Sequence, residues 1–135
     1  MNNEEKKQYL RRYQAAKRRA KMIQEEIDEL RSSKTSPVGL GDGLPHGSGT
    51  SDLSGYAARL DELLRELEAE REMQMVTYRE IRQRIGMVPD PTEQEILSRR
   101  YLLWQSWEKI AVEMGYSYRN VTRLHGYALK HFELL

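Results

Sequence analysis

Two long stretches of the chain repeat apolar or small residues at alternating intervals of four and three, which is the seam of a coiled coil. Each stretch is therefore predicted to be one long helix. In residues 3–33 the seam comprises Tyr9, Tyr13, Ala16, Ala20, Ile23, Ile27 and Leu30. In residues 52–85 it comprises Leu53, Ala57, Leu60, Leu64, Leu67, Arg71, Gln74, Tyr78, Ile81 and Ile85.

The segment between these predicted helices, residues 35–51, contains five Gly and two Pro, a composition that favours a flexible loop. Two helices joined by one loop should fold back on each other, so residues 1–86 are predicted to form an antiparallel coiled-coil hairpin. Pairing the loop-proximal ends puts Tyr13 near Arg71. A hairpin has only one buried stripe, so we expect it either to pack on the C-terminal module or to meet a second copy. Of these two outcomes a homo-oligomer is favoured, with a dimer expected.

Residues 92–135 are predicted to form three short helices, because start and stop signals recur at short intervals. Thr92 and Glu95 read as a capping box that opens the first helix. Ser106 is the expected N-cap of the second helix, and Ser117 of the third. Gly115 closes the second helix and permits a sharp turn. Each helix has an expected inner side. In the first helix it comprises Ile96, Leu97, Tyr101 and Leu102; in the second, Trp107, Ile110, Ala111 and Met114; in the third, Val121, Leu124, Ala128, Leu129 and Phe132.

The outward side of the third helix, residues 117–133, carries the side chains that read DNA bases. Its first two turns present Tyr118, Arg119, Asn120, Thr122 and Arg123. Arginine can form two hydrogen bonds to guanine, asparagine two to adenine, and threonine offers a methyl group to thymine. A recognition helix presents its N-terminal residues to the major groove. These five residues are therefore the predicted DNA-binding set of a three-helix helix-turn-helix.

Composition narrows the classes of function. The chain has no cysteine, which excludes disulfides and thiolate metal sites. No apolar run is long enough to span a bilayer, and the N-terminus is charged from Glu4 onward, so we expect a cytoplasmic protein without a membrane partner. His125 and His131 are spaced wrongly for a shared metal. With no catalytic set of side chains, we expect neither an enzyme nor a cofactor.

Charge is distributed unevenly, although the formal net charge is only +1. Residues 1–34 hold ten Lys/Arg against six Asp/Glu, whereas residues 92–135 hold six against five. The basic N-terminal stretch fits a salt-bridged helix flank better than a phosphate-binding arm. Because the C-terminal segment is nearly neutral, any binding to DNA phosphates must come from a local patch of positive charge.

The C-terminal segment resembles region 4 of sigma-70 factors. The resemblance is carried by Ser106-Trp107-Glu108-Lys109-Ile110-Ala111, Gly115-Tyr116-Ser117, Val121 and Ala128-Leu129. In that family the helix after the Ser/Thr cap reads the −35 promoter element. The resemblance implies that Tyr118, Arg119, Thr122 and Arg123 contact bases, with Asn120 beside them. Several contact residues differ from the housekeeping pattern, so the −35 sequence itself is not implied.

The whole chain is similar to phage and prophage proteins of Gram-positive bacteria that combine a helical hairpin, a loop like residues 44–52 and a sigma-like helix-turn-helix. Some of these are regarded as regulators of late phage genes, in the manner of ArpU-type activators. The resemblance implies a transcriptional regulator of a mobile element that binds double-stranded DNA.

Taken together, we predict an all-α protein with a hairpin at residues 1–86, a proline hinge at 87–91 and a sigma-region-4-like module at 92–135. Two alternatives stay open. The first is a DNA-packaging adaptor like a terminase small subunit. The second is a sigma-like module that contacts RNA polymerase and never reads DNA.

Overall fold

The computed structural model describes residues 2–34 and 49–133, and over these residues the chain is helical and contains no strand. The helices, in chain order, are α1 (Asn3–Leu10), α2 (Arg12–Lys34), α3 (Gly49–Ile85), α4 (Pro91–Leu97), a π-helical segment (Ser98–Leu102), α5 (Trp107–Met114) and α6 (Tyr118–His131). The prediction of an all-α protein is confirmed at this level.

The two long predicted helices are found with small differences in their bounds. The first is divided at Arg11, which forms a turn between α1 and α2, although its N–H still donates to the Lys7 carbonyl at 2.9 Å. The second begins at Gly49, three residues earlier than expected. Of the predicted loop 35–51, residues 35–48 lie outside the described residues.

Helix α4 begins differently from the prediction. Its N-cap is Asp90, whose Oδ1 accepts a hydrogen bond from the Thr92 N–H at 2.8 Å, and Pro91 occupies the first turn. The capping box at Thr92 and Glu95 is therefore wrong. Proline suits the first helical position because it has no N–H to satisfy, and Asp90 directly before it is the better cap. Glu95 instead pairs with Arg99, with 2.7 Å between Oε2 and Nε.

The chain divides into two compact units. Unit 1 comprises Met1–Ala16 and Met73–Leu135, and unit 2 comprises Lys17–Glu72. Helices α2 and α3 therefore contribute residues to both units. The boundary predicted at residues 87–91 lies inside unit 1, and Val88 in that segment is only 1% exposed. Val88 packs with residues from both ends of the chain, so the segment contributes to a core.

The main core of unit 1 unites the beginning of the chain, the end of α3 and the C-terminal helices. Its buried members are Leu10, Ile81, Ile85, Val88, Leu97, Tyr101, Leu102, Ala128, Leu129 and Phe132. Burial of these side chains is the principal force that holds the unit together, at about 1.5–3 kcal/mol for each large aliphatic or aromatic one. The inner side predicted for the first C-terminal helix is confirmed.

Two polar side chains from the beginning of the chain also bind the C-terminal helices. The Lys6 ammonium donates to the Leu129 carbonyl at 2.8 Å and to the Lys130 carbonyl at 3.3 Å, near the end of α6. A cation there complements the helix dipole and adds to the 3.3 Å hydrogen bond that the Leu129 carbonyl accepts from the Phe132 N–H. The buried amide of Gln14 donates to the carbonyls of Tyr101 and Leu102, where the π-helical segment ends.

Unit 2 is held by a small core of Ala20, Ile27, Leu63 and Leu67, flanked by Ile23, Leu30 and Leu60. At its surface Arg19 pairs with Glu70 at 3.1 Å, and Arg71 donates to Gln24 at 3.2 Å. Small residues of α2 thus lie against leucines of α3. Of the predicted seam, Leu53 is 52% exposed, whereas the off-seam Leu63 is buried.

The predicted pairing of Tyr13 with Arg71 is wrong by one heptad. In unit 1 the Tyr13 ring contacts Tyr78, with 5.1 Å between ring centroids, and Arg12 pairs with Glu80 at 3.3 Å. A shift of one heptad preserves the apolar seam, so the repeat alone does not select the register. Leu10 buries against Ile81 and Ile85 in the unit 1 core, and this contact accounts for the register observed.

None of the helices in the described ranges is both long enough and apolar enough to span a membrane.

Candidate nucleic-acid interface

Helix α5, a three-residue connection and helix α6 have the caps that the sequence predicted. The Ser106 hydroxyl accepts from the Lys109 N–H, and the Ser117 hydroxyl accepts from the Asn120 N–H, each at 3.1 Å. Gly115 adopts φ 70° and ψ 30°, the left-handed conformation that glycine enters without steric cost. These local signals fix where α6 begins and the direction in which it leaves the turn.

A second, smaller core joins α5 to α6. Ile110 and Val121 are fully buried in it, Ala111 is buried, and Trp107 and Met114 are half-buried around it. Farther along α6, Ala128, Leu129 and Phe132 enter the main core of unit 1. The predicted inner sides of both helices are confirmed except at three residues, Trp107, Met114 and Leu124, which are only half-buried.

His125 lies on the buried side of α6 and is 7% exposed. Its Nε2 shares a 2.8 Å hydrogen bond with the Tyr101 hydroxyl, and its ring meets the Trp107 ring edge-on at 4.5 Å. Burial, followed by the charges of Lys7, Arg100 and Arg11, lowers the pKa of His125 to about 4. Sequence reasoning did not identify this group, because its partners come from distant parts of the chain.

Tyr101, the partner of His125, is itself buried. Burial raises the pKa of its hydroxyl to about 12, although Arg11 and Arg100 act in the opposite direction. Both groups are therefore neutral near pH 7, which avoids the cost of a buried charge. The hydrogen bond between Tyr101 and His125 joins α6 to the π-helical segment. It therefore helps to determine which side of α6 faces solvent.

The five predicted DNA-binding residues all lie on α6 and reach solvent to different degrees. Tyr118, Arg119 and Arg123 are exposed, whereas Asn120 and Thr122 are half-buried. The Thr122 hydroxyl lies 3.2 Å from the Tyr118 carbonyl and 3.0 Å from the Arg119 carbonyl. Because this hydroxyl donates to its own helix, Thr122 presents its methyl group more readily than a hydrogen-bond donor.

Asn120 and Arg123 are joined to each other. An Arg123 guanidinium nitrogen donates to Asn120 Oδ1 at 2.6 Å. The carboxamide keeps its N–H donors and the second lone pair of Oδ1 free. Two hydrogen bonds to adenine use both the oxygen and the nitrogen of asparagine, so Arg123 restricts the direction from which a base can approach Oδ1.

The exposed side of α6 extends beyond the predicted set. Arg119, Arg123, Gly126 and Lys130 follow at intervals of four, three and four, and all four are exposed, so they form one stripe along the helix. Beside the stripe, Tyr127 lies under the Arg123 guanidinium, with 5.9 Å from Cζ to the ring centroid. The prediction stopped after two turns and missed Gly126, Tyr127 and Lys130. Continuing the same helical spacing would have found them.

At the far end of α6, His131 contacts Glu93, with 2.7 Å between Nδ1 and Oε1. Glu93 is buried, whereas the His131 side chain is about half exposed. This contact ties α6 to the first turn of α4. It gives His131 a structural role in unit 1, outside the exposed stripe.

Comparison of the chain with protein-family models, with curated proteins and with solved structures found no match.

Proposed function

We propose that this protein is a sequence-specific DNA-binding protein that reads the major groove with α6. In this proposal α5 and α6 form a helix-turn-helix, and Tyr118, Arg119, Asn120, Thr122 and Arg123 face the bases. The observation that carries it is the exposed stripe of Arg119, Arg123 and Lys130 on a capped helix. The core of unit 1 buries the opposite side of that helix.

The chemistry of the exposed residues supports DNA as the partner. No carboxylate pairs with Arg119, Arg123 or Lys130 in the described part of the chain, so the charges are available to a polyanion. Arg123 instead contacts an amide and a phenol, both of which also bond to bases or phosphates. The helix has 14 residues, about 21 Å, which is long enough to enter the groove and to cross its edge.

The biological role that we propose follows the resemblance to sigma-70 region 4 and to phage regulators. The protein would regulate transcription of phage or mobile-element genes, with RNA polymerase as a further candidate partner. A single small module binds weakly, so we propose that two copies act together through the predicted hairpin. Their recognition helices would then lie about 34 Å apart on successive major grooves.

The test is selection from a random pool of duplex DNA, followed by binding assays with the Arg119→Ala/Arg123→Ala variant. We expect a motif to be enriched, and we expect the variant to lose about a hundredfold in affinity, because each good bidentate contact contributes about 1–3 kcal/mol. Arg79→Ala/Arg82→Ala on α3 removes the same charge from another helix, where both side chains are exposed. That control should bind the selected duplex nearly as tightly as the unmodified protein.

Other outcomes would contradict the proposal. Duplex binding that survives the Arg119/Arg123 change at an ionic strength of about 0.15 M would show that α6 is not the reading helix. Binding without sequence preference, together with a ring in native mass spectrometry, would favour a DNA-packaging adaptor. Binding of RNA polymerase without any binding of DNA would favour a protein-interaction module.

A further inference from the structure

Gly126 stands in the middle of α6, where the fold gives no reason for a glycine. Its backbone does not adopt a positive φ, and a Cβ built there would meet no heavy atom within 4 Å. Glycine in the interior of a helix destabilises it relative to alanine. Gly115 differs, because its φ of 70° requires a glycine-like conformation. Gly55 on α3 is equally open, so the missing side chain alone assigns no role. Gly126 differs from Gly55 because it lies between Arg123 and Lys130 on the exposed stripe of α6, where a partner can approach the helix backbone closely.

The surroundings of Gly126 identify the chemistry of that partner. A groove between the start of α1 and α6 is lined by Asn3, Arg123, Gly126, Tyr127 and Lys130. It thus brings together two cations, an amide and a phenol around an exposed stretch of helix backbone. The carboxylate of Glu4, next to Asn3 in the chain, pairs with Lys7 at 3.2 Å. Two cations beside a position without a side chain suit a phosphate group, whose oxygens accept several hydrogen bonds.

We propose that this groove holds a phosphate of the DNA backbone and that Gly126 allows the sugar–phosphate chain to approach α6. This inference rests on the proposed function. Gly126 lies six residues beyond Asn120, about 9 Å along the helix. The major groove is about 12 Å wide. A helix whose first turn touches base edges therefore reaches the phosphates at its wall near Gly126. Asn3 would add a contact from α1, which a helix-turn-helix alone does not supply.

The direct test is Gly126→Ala, because it should change stability and binding in opposite directions. The new methyl group has room in the free protein and favours the helix, so Tm should rise by about 3 °C. The same methyl group occupies the space that the phosphate needs, so affinity for the selected duplex should fall about tenfold. The matched control is Gly55→Ala on α3, where a Cβ also meets nothing within 4 Å. Gly55→Ala should raise Tm similarly and leave DNA affinity unchanged.

A second variant tests the charge in the groove. Lys130→Gln should lower the slope of log affinity against log salt concentration by about 0.9, the value for one phosphate contact. Lys21→Gln removes an exposed lysine from α2 and should not change the slope. If the unmodified protein binds the duplex and Gly126→Ala binds it equally well, or if Lys130→Gln keeps the full slope, the phosphate site is refuted while the reading helix stands. If the unmodified protein binds no duplex, both proposals fail.

Discussion

Acid should weaken unit 1 through His125 in particular. The pKa of this buried imidazole is lowered to about 4, against 6.5 in an unfolded chain, so the unfolded state binds the proton more readily. The contribution of neutral His125 to stability is complete above pH 6.5 and is lost as the pH falls toward 4. At pH 4 the difference in proton binding corresponds to about 3 kcal/mol of unfolding free energy.

The perturbation that isolates this effect is the double change Tyr101→Phe/His125→Leu. It replaces both members of the 2.8 Å hydrogen bond with apolar side chains, so that no buried polar group is left without its partner. Near pH 7.5 the free energy of unfolding of the variant should therefore lie within about 1–2 kcal/mol of that of the unmodified protein. Between pH 7.5 and pH 4 the free energy of unfolding should fall by about 3 kcal/mol more for the unmodified protein than for the variant.

The assay is urea unfolding at a series of pH values, followed by tryptophan fluorescence. Both tryptophans of the chain, Trp104 and Trp107, belong to unit 1, and the Trp107 ring contacts His125. Carboxylates that titrate in the same range affect both proteins equally, and the difference between the two curves removes them. Parallel curves from pH 7.5 to pH 4 would refute the reasoning, because they would show that His125 has the same pKa in the folded and unfolded states.

Two further predictions concern features that the sequence did not reveal. Leu10→Ala should destabilise unit 1 by about 2–5 kcal/mol in urea unfolding, because Leu10 is fully buried there. Leu53→Ala, at a half-exposed position, should cost less than about 1 kcal/mol. Equal effects would contradict the burial of α1 against the C-terminal helices. Asp90→Ala should cost about 1 kcal/mol by removing the N-cap of α4, and a larger loss for Thr92→Ala would restore the predicted capping box.

Local features of the C-terminal helices could be predicted from the sequence. The caps at Ser106 and Ser117 and the turn at Gly115 each depend on hydrogen bonds or backbone angles within a few residues. Such signals act over the same short range as the pattern from which they are recognised. The error at Thr92 had a local cause, since Pro91 in the first helical turn marks Asp90 as the cap.

Long-range features could not be predicted in the same way. Leu10 lies off the heptad seam, and only its burial against Ile81 and Ile85 reveals that the first helix belongs to the C-terminal core. The lowered pKa of His125 depends first on burial by distant parts of the chain, and then on the charges of Lys7, Arg100 and Arg11. Heptad repeats also leave the register open by whole heptads, and tertiary contacts then decide it.

Residue type and helical spacing were enough to predict which residues of the candidate interface lie on α6. All five predicted residues lie on α6, but the bond between Asn120 and Arg123 and the internal bonds of Thr122 depend on side-chain geometry. Gly126 interrupts a helix-forming segment without a turn beside it, so the sequence alone marks a position where the backbone of α6 carries no side chain.

The most direct measurement of the central proposal is NMR titration of the isotopically labelled full chain with the selected duplex. If α6 reads DNA, the largest changes in amide shift should fall at Arg119, Asn120, Arg123 and Gly126, while amides of unit 2 change little. Shifts confined to Lys17–Glu72, or the absence of any shift on α6 at a DNA concentration that saturates binding, would contradict the account.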